Sequence, residues 1–298
     1  MRLNQSTKVL ITGASGSLGW TLSKKLADTC RVMGTYCRNA CVPEGSEGVK
    51  VDLCDERPMT AVFESFKPDL TVHLAAITDP DRCERNPQLA FKVNYEATMD
   101  IARRSKKVGA RLVFVSTDLV FDGSKGNYRE DETPRPLSIY GMSKLRAEEA
   151  ALAEGGNVVV LRSSLMYGLG SPARPTFLAR VVEALSHGQE MRLFTDQKRN
   201  PILVDDVARA LIIAVERDVR GLYHIGGSQV LSRYEFGQEV CKVYGYEERL
   251  LVPMKMQEFP YDARRPLDPT LNIQRFTNMT GFMPSLVPNG LKIIKDRL

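Results

Sequence analysis

The chain has 298 residues, of which 43% are apolar and 26% charged, enough for a sheet domain with a smaller appended region. The net charge of +5 reflects 41 basic and 36 acidic residues without a basic run, which excludes a typical nucleic-acid-binding protein. The N-terminus lacks the apolar core of a signal peptide, and no apolar run reaches about 18 residues, so a cytoplasmic protein without membrane spans is expected.

The first predicted elements are a strand at 8–12 and a helix at 17–28, joined by a glycine-rich turn. Gly13 allows a sharp turn, Gly16 would let the backbone approach a pyrophosphate, and Gly19 would let the helix pack closely on the sheet. Phosphates would bind the free N–H groups at the helix start. The residues predicted to contact a dinucleotide here are Gly13, Ser15, Gly16, Ser17, Leu18 and Gly19. The spacing Gly-x-x-Gly-x-x-Gly also occurs in ordinary turns.

The second predicted strand, 31–36, should end near the adenosine ribose of a bound dinucleotide. Enzymes that prefer NAD usually carry Asp or Glu at this point, whereas here the strand is followed by Cys37 and Arg38. Arg38 could bind a 2′-phosphate, which favours NADP(H) over NAD(H), or it could be an ordinary surface arginine. The third strand is predicted at 49–53, and Asp52 and Leu53, at its end, could contact the adenine.

The remaining elements of the first half alternate between helices and strands. The predicted helices and strands are 56–66, 70–74, 87–107, 111–116, 138–154 and 157–162. This alternation predicts an α/β fold with a doubly wound, parallel, Rossmann-type sheet. Ligands bind beyond the carboxyl ends of such strands. Ala75 and Ala76 follow one strand, where small side chains would leave room for a cofactor or simply pack in the core.

The helix predicted at 138–154 begins with Tyr140 and Lys144, four residues apart. Positions i and i+4 share one helix face. A nearby ammonium favours the phenolate of a tyrosine, whose ordinary pKa is about 10. The pair could therefore move a proton while a hydride is transferred, although the same spacing fits a solvated surface pair. Thr117, at a strand end, could donate a hydrogen bond to a carbonyl or serve in a turn.

The second half is less regular. The segment 121–136 is predicted to be a surface loop that covers the site. Helices are predicted at 176–187, where Pro172, Pro175 and Pro201 bracket the stretch, at 205–216 and at 232–244 with Ser232 as its N-cap. The proline-rich segment 251–288 is predicted to be irregular.

Two regions are expected. Residues 1–168 form a dinucleotide-binding domain, to which 201–225 return, and residues 169–200 and 226–298 form a smaller α/β substrate-binding region. Within the latter, Arg264 and Arg265 are candidates for a substrate diphosphate, because arginine binds phosphate through paired hydrogen bonds. The alternative is that one or both of these arginines form ion pairs with Asp262 or Asp268.

Metal chemistry is not predicted. The six cysteines show no C-x-x-C spacing, and reduced thiols are expected. His73 lies in a predicted buried strand, which favours a core histidine over a metal ligand.

Together these motifs resemble the extended short-chain dehydrogenase/reductase family over roughly the first 170 residues. The matching residues are 12–19, Asp52, Leu53, His73, Leu74, Ala75, Ala76, Asn94, Ser116, Thr117, Asp118, Tyr140 and Lys144. Within the family the likeness is strongest to the dTDP-4-dehydrorhamnose reductase group, through the stretches 116–123, 136–141 and 264–266.

This resemblance implies an NADP(H)-dependent reductase of a nucleotide-diphosphate 4-keto-6-deoxy sugar in polysaccharide biosynthesis. It implies that Thr117 binds the keto oxygen, that Tyr140 donates the proton, and that Lys144 holds the nicotinamide ribose and tunes Tyr140. Asn94 would belong to the cofactor side and Asp118 to the substrate side.

Two residues depart from the group's pattern: Leu165 stands where a tryptophan is frequent, and Leu119 where a tyrosine is frequent. Both would lie near the sugar, so its identity stays open. A nucleotide-sugar epimerase or dehydratase with tightly bound NAD, and a non-catalytic regulatory subunit like that of methionine adenosyltransferase, remain alternatives. Helices 87–107 and 138–154 could pair two subunits into a homodimer.

Overall fold

A computed structural model describes residues 1–172 and 176–297 of the chain. Pro175, one of the prolines expected to bracket the 176–187 helix, lies outside the described residues. In the part that is described, no helix combines the length and apolarity needed to cross a bilayer. All six cysteines are free thiols.

The secondary structure alternates through the first half, as the sequence predicts. The strands are β1 (Lys8–Thr12), β2 (Arg31–Tyr36), β3 (Ser46–Lys50), β4 (Leu70–His73), β5 (Arg111–Thr117), β6 (Val158–Ser163), β7 (Met166–Tyr167), β8 (Met191–Phe194), β9 (Lys198–Arg199), β10 (Ile202–Leu203), β11 (Gly221–Ile225), β12 (Leu231–Ser232) and β13 (Leu251–Met254). The helices are α1 (Ser17–Leu26), α2 (Glu56–Phe66), α3 (Pro80–Arg85), α4 (Pro87–Phe91), α5 (Ala97–Lys107), α6 (Ile139–Ala153), α7 (Phe177–Ser186), α8 (Val204–Glu216), α9 (Arg233–Tyr244), α10 (Gln274–Thr280) and α11 (Val287–Lys295).

Seven strands form one parallel sheet in the order β11-β6-β5-β4-β1-β2-β3. The chain starts at β1, moves outward to β3, and then crosses to β4 on the other side. Ligands of α/β sheets bind at this change of direction, beyond the carboxyl ends of the strands. One face of the sheet is covered by α1 and α8 and the other by α2, α5 and α6. The predicted doubly wound α/β fold is confirmed.

Several predicted bounds need correction. The third strand is Ser46–Lys50 rather than 49–53, because this edge strand is largely exposed and has no apolar run to mark it. The helix predicted at 87–107 is interrupted by a π-helical turn at Lys92–Glu96. The segment 251–288 is not wholly irregular, since β13 pairs with β8 in a two-stranded sheet where Pro253 is tolerated. Ser232 caps α9 in a capping box, as predicted.

A second apolar cluster lies in the C-terminal half, where α7, α9 and α11 pack with β8 and β13. Within the segment between α7 and α9, two elements return to the first cluster: α8 packs on α1, and β11 extends the main sheet beside β6. On these contacts we propose the division into 1–168 with 201–225, and 169–200 with 226–298.

Candidate active site

The turn between β1 and α1 is shaped by close backbone contacts. Gly13 has a φ of +73°, and a Cβ there would lie 2.9 Å from the Ala75 backbone. A Cβ on Gly19 would collide with the carbonyl oxygen of Gly13. Ser15 and Ser17 are half-buried in this turn, whereas the Leu18 side chain is buried in the core.

The first turn of α1 is suited to an anion. Its N-cap, Gly16, offers no side-chain hydrogen bond, and the turn carries no acidic residue. The first N–H groups of a helix have no partner within the helix, and the helix dipole places a partial positive charge there. These features fit the pyrophosphate of a dinucleotide. Because the Leu18 side chain is buried, only its backbone is available to such a ligand.

The residues predicted for the adenosine side lie at the same edge of the sheet. Arg38 follows β2 and is exposed, and no described residue forms an ion pair with it. Asp52 and Leu53 follow β3, which pairs in parallel with β2. Asp52 Oδ1 accepts a hydrogen bond of 2.9 Å from the backbone of Cys54, which fixes this turn.

Asn94 connects the segment that follows β4 to helix α6. It is buried in the π-helical turn, and its amide donates hydrogen bonds to Ser143 Oγ at 3.0 Å and to the Ile77 carbonyl at 3.1 Å. Its Oδ1 accepts a hydrogen bond of 2.8 Å from Ile77 N. Asn94 thus ties the segment after half-buried Ala75 and Ala76 to α6.

Tyr140 and Lys144 lie on the buried face of α6, being 7% and 3% exposed. Lys144 Nζ donates a hydrogen bond of 2.9 Å to the Val115 carbonyl and lies 4.0 Å from the centre of the Phe114 ring. Burial lowers the pKa of Lys144 to about 7, and the Glu148 carboxylate opposes this shift. The pair is therefore not a solvated surface pair, and the pKa of Lys144 is that of a group that can exchange a proton near neutrality.

Thr117 lies at the carboxyl end of β5, two residues after Val115, whose carbonyl accepts the hydrogen bond from Lys144. Its Oγ1 donates a hydrogen bond of 3.2 Å to Asp118 Oδ1 and accepts one from the backbone of Leu119. Asp118 is buried, with Ser164 Oγ at 3.3 Å and Arg199 Nε at 3.5 Å from its Oδ2. Burial raises the pKa of Asp118, and Arg199 opposes that shift. Asp118 thus orients Thr117 from within the protein.

The two predicted substrate arginines differ in environment. Arg264 is exposed. Arg265 forms a 2.7 Å ion pair with Asp81 and lies 4.6 Å from the centre of the Tyr261 ring. The alternative pairing with Asp262 or Asp268 is wrong, because Asp81, on the distant helix α3, occupies that role.

A cavity of about 280 Å³ adjoins the start of α1 and contains basic residues that sequence reasoning missed. Its lining includes Ser17, Leu165, Phe177, Arg180 and Arg233. The Arg233 guanidinium lies 4.4 Å from the centre of the Phe177 ring. Its Nη1 is buried without a hydrogen-bond partner among the described residues, and burial lowers its pKa to about 9.

Arg180, Arg199 and Arg233 belong to no local motif, so no signal in the sequence distinguishes them from surface arginines. Only tertiary packing brings Arg180 and Arg233 into the cavity beside Ser17 and brings Arg199 to Asp118. Across residues 1–172 and 176–297, no three histidine, cysteine or carboxylate side chains come close enough together to hold a metal ion.

Three known proteins are each similar to this chain over more than nine tenths of its length. The family model described as the RmlD substrate binding domain matches residues 7–297. Methionine adenosyltransferase 2 subunit beta from Xenopus laevis is 32% identical, over 92% of this chain and 83% of that protein. The probable low-salt glycan biosynthesis reductase Agl14 from Haloferax volcanii is 30% identical, over 91% of each. A solved structure of a hypothetical dTDP-4-dehydrorhamnose reductase from Sulfolobus tokodaii is 31% identical, with a TM-score of 0.83, over 95% of this chain and 99% of that one.

Proposed function

The chain belongs to the family of the RmlD substrate binding domain, and we propose on this basis that it is an NADP(H)-dependent reductase of a nucleotide-diphosphate 4-keto-6-deoxy sugar. The family assignment confirms the resemblance to the dTDP-4-dehydrorhamnose reductase group. The observation that carries the proposal is the buried Tyr140 and Lys144 pair beside Thr117, at the edge of the sheet that holds the glycine turn. The related reductases from Haloferax volcanii and Sulfolobus tokodaii support it.

The residues of the site have complementary roles in the reduction of a ketone. NADPH, when bound, supplies the hydride that reaches the carbonyl carbon. With substrate bound, the Thr117 hydroxyl would turn its single proton from Asp118 Oδ1 to the carbonyl oxygen and polarise it. Tyr140 gives its phenolic proton to that oxygen, so that the ketone becomes an alcohol. The Lys144 ammonium stabilises the phenolate that remains on Tyr140 until a proton from solvent restores it.

The cofactor would be held by the first turn of α1 and by the residues that end β2, β3 and β4. The collision that a Cβ would cause at Gly13 or Gly19 shows that these positions need glycine for the turn to keep its shape. Arg38 is the residue we assign to the 2′-phosphate of NADPH, because it is exposed, cationic and stands where NAD-preferring enzymes carry an acid.

Replacing Arg38 with Ala should raise the Kd for NADPH roughly 10–100-fold, the loss expected for a charge-assisted hydrogen bond. The Kd for NADH should change little, because NADH has no 2′-phosphate. Fluorescence titration with both cofactors measures this. Arg31→Ala, at the start of β2 and paired with Glu47, serves as the control. Equal losses for NADPH and NADH would contradict the assignment.

The substrate diphosphate is assigned to the basic cavity beside α1. Arg180 and Arg233 line it, and Arg199 and Arg265 lie nearby with Asp118 and Asp81 as their respective carboxylate partners. Nη1 of Arg233 and Nη1 of Arg265 are buried and have no hydrogen-bond partner among the described residues, so both could donate to phosphate oxygens. Exposed Arg264 is the weaker of the two candidates drawn from the sequence.

A second candidate function is that of a regulatory subunit. The likeness to methionine adenosyltransferase 2 subunit beta, at 32% identity, favours it. The buried and oriented Thr117, Tyr140 and Lys144 favour a catalyst instead. An epimerase or dehydratase with resident NAD is distinguished by a cofactor that copurifies and resists dialysis.

The deciding experiment mixes purified protein with NADPH and dTDP-4-dehydro-6-deoxy-L-mannose and follows the absorbance of the reduced nicotinamide. We expect oxidation that requires the sugar. Tight NADPH binding without oxidation of any nucleotide-linked keto sugar would contradict the reductase proposal. Capture of a methionine adenosyltransferase from lysate of the source cells would then support the regulatory role.

A further inference from the structure

A buried ion pair lies one helical turn beyond Lys144, and the mechanism described so far gives it no role. Glu148, on α6, and Arg162, on β6, are 2% and 3% exposed. The two carboxylate oxygens accept three hydrogen bonds of 2.7–3.1 Å from Nε and Nη2 of Arg162. Desolvating two charges is costly, and a well-packed apolar pair of similar volume is often at least as stable. The pair therefore calls for an explanation beyond stability.

Glu148 follows Lys144 by four residues, so both side chains share the buried face of α6. The Lys144 ammonium has the Val115 carbonyl and the Phe114 ring as neighbours, and no carboxylate of the described residues lies within 4.0 Å of Nζ. A buried ammonium tends to lose its proton unless an anion lies near it. Glu148 supplies the negative charge that opposes this loss.

Other ionisable groups from the elements around α6 do not replace Glu148. His73 on β4 is buried, and burial and the Lys144 charge lower its pKa to about 3, so it is neutral. Asp118, after β5, faces an arginine of its own. Glu84 on α3 accepts a hydrogen bond from the backbone at the start of α6.

On the side away from Glu148, the Arg162 guanidinium contacts His224 and Phe121. Its Nη1 lies 3.4 Å from Nε2 of His224, whose Nδ1 lies 3.1 Å from the Tyr128 carbonyl. Because arginine only donates, Nε2 must accept, and Nδ1 carries the ring proton toward that carbonyl. Burial lowers the pKa of His224 to about 3, so the ring is neutral. The guanidinium also lies 5.1 Å from the centre of the Phe121 ring.

We propose that Glu148 is a positioning residue for Lys144: its carboxylate, kept ionised and oriented by Arg162, holds Lys144 in the ammonium form. The catalytic consequence of this proposal rests on the proposed reductase function, because that reaction needs the Lys144 ammonium beside Tyr140. A neutral Lys144 would not stabilise the phenolate left after proton transfer, so the reductase would lose turnover as Lys144 lost its proton.

The test measures the Lys144 ammonium directly, by NMR of isotope-labelled lysine side chains as a function of pH, with Lys144→Arg used to assign the signal. In Glu148→Gln we expect the Lys144 midpoint to fall by about one pH unit or more, because the nearest opposite charge is gone. The ammonium exists below its pKa, so a lower pKa means that it is lost earlier as pH rises. The alkaline limb of kcat/KM should move down by the same amount.

The adjacent residue provides a matched control. Glu149 is 54% exposed and pairs with Arg146 on the surface of the same helix. Glu149→Gln removes one negative charge and should leave both midpoints in place. Glu148→Asp keeps the buried carboxylate and should keep the Lys144 midpoint closer to wild type than Glu148→Gln does. If Glu148→Gln does not fold, the Lys144 midpoint of the double variant Glu148→Gln with Arg162→Met is compared with that of Arg162→Met alone, so that the two proteins differ only in the Glu148 charge.

An unchanged Lys144 midpoint in folded Glu148→Gln, or an equal shift in Glu149→Gln, would overturn the proposal. A midpoint that falls as expected, in a protein whose wild type reduces no keto sugar, would support the role of Glu148 while refuting the reductase function. The two proposals therefore fail separately.

Discussion

Replacing Tyr140 with Phe should lower kcat roughly 10²–10⁴-fold, the range that general acid catalysis contributes. The phenyl ring keeps the packing of this 7% exposed side chain but has no proton to give to the carbonyl oxygen. The glycine turn and Arg38 are unchanged, so the Kd for NADPH should stay near that of the wild type. Steady-state kinetics with the keto sugar and fluorescence titration with NADPH separate the two effects.

Tyr244→Phe provides the control for this substitution. Its hydroxyl lies at the end of α9, far along the chain from the site, and has no hydrogen-bond partner within the described part of the chain. The variant should retain wild-type turnover. If Tyr140→Phe did the same, Tyr140 would not be the proton donor, and the mechanism proposed here would be wrong.

Replacing Arg162 with Met should destabilise the fold by about 3–5 kcal/mol, because it leaves the Glu148 carboxylate buried without its cationic partner. Urea unfolding followed by circular dichroism measures the change. Arg31→Met is the matched control: Arg31 and Glu47 form a 3.2 Å pair whose side chains are 57% and 56% exposed. Loss of such a surface pair should cost no more than about 1 kcal/mol.

The double variant Arg162→Met with Glu148→Gln should recover part of the lost stability, since it removes the stranded charge as well as its partner. Equal stability losses in Arg162→Met and Arg31→Met would mean that the Glu148 carboxylate finds another partner or water.

Local sequence predicted the parts of the site that depend on short spacing. The glycine turn, Thr117 and the pair Tyr140 and Lys144 each lie within one turn or one helix face, so their arrangement follows from adjacent residues. The order of helices and strands was predictable because apolar strands covered on both sides differ clearly from amphipathic helices.

Contacts between distant segments could not be predicted in the same way. The partner of Arg265 is Asp81, 184 positions earlier in the chain. Arg233 lies in the first turn of α9. The sequence there predicts the N-cap at Ser232 but gives no sign that the next side chain lines the site. The third strand was misplaced because its residues are largely exposed. No strand was predicted at β11, which is short and begins at Gly221. Such features depend on packing that propensity does not encode.

The return of α8 and β11 to the first half affects how this protein can be made. A chain that ended at residue 168 would leave β6 as an open edge, with unpaired N–H and C=O groups. The apolar face of α1 that contains Leu18 and Leu22 would lose its cover from α8. A nascent chain passes through this state during translation. The first half of the fold can therefore be completed only after residue 225 has left the ribosome, and until then the open edge of β6 is exposed to pairing with other chains.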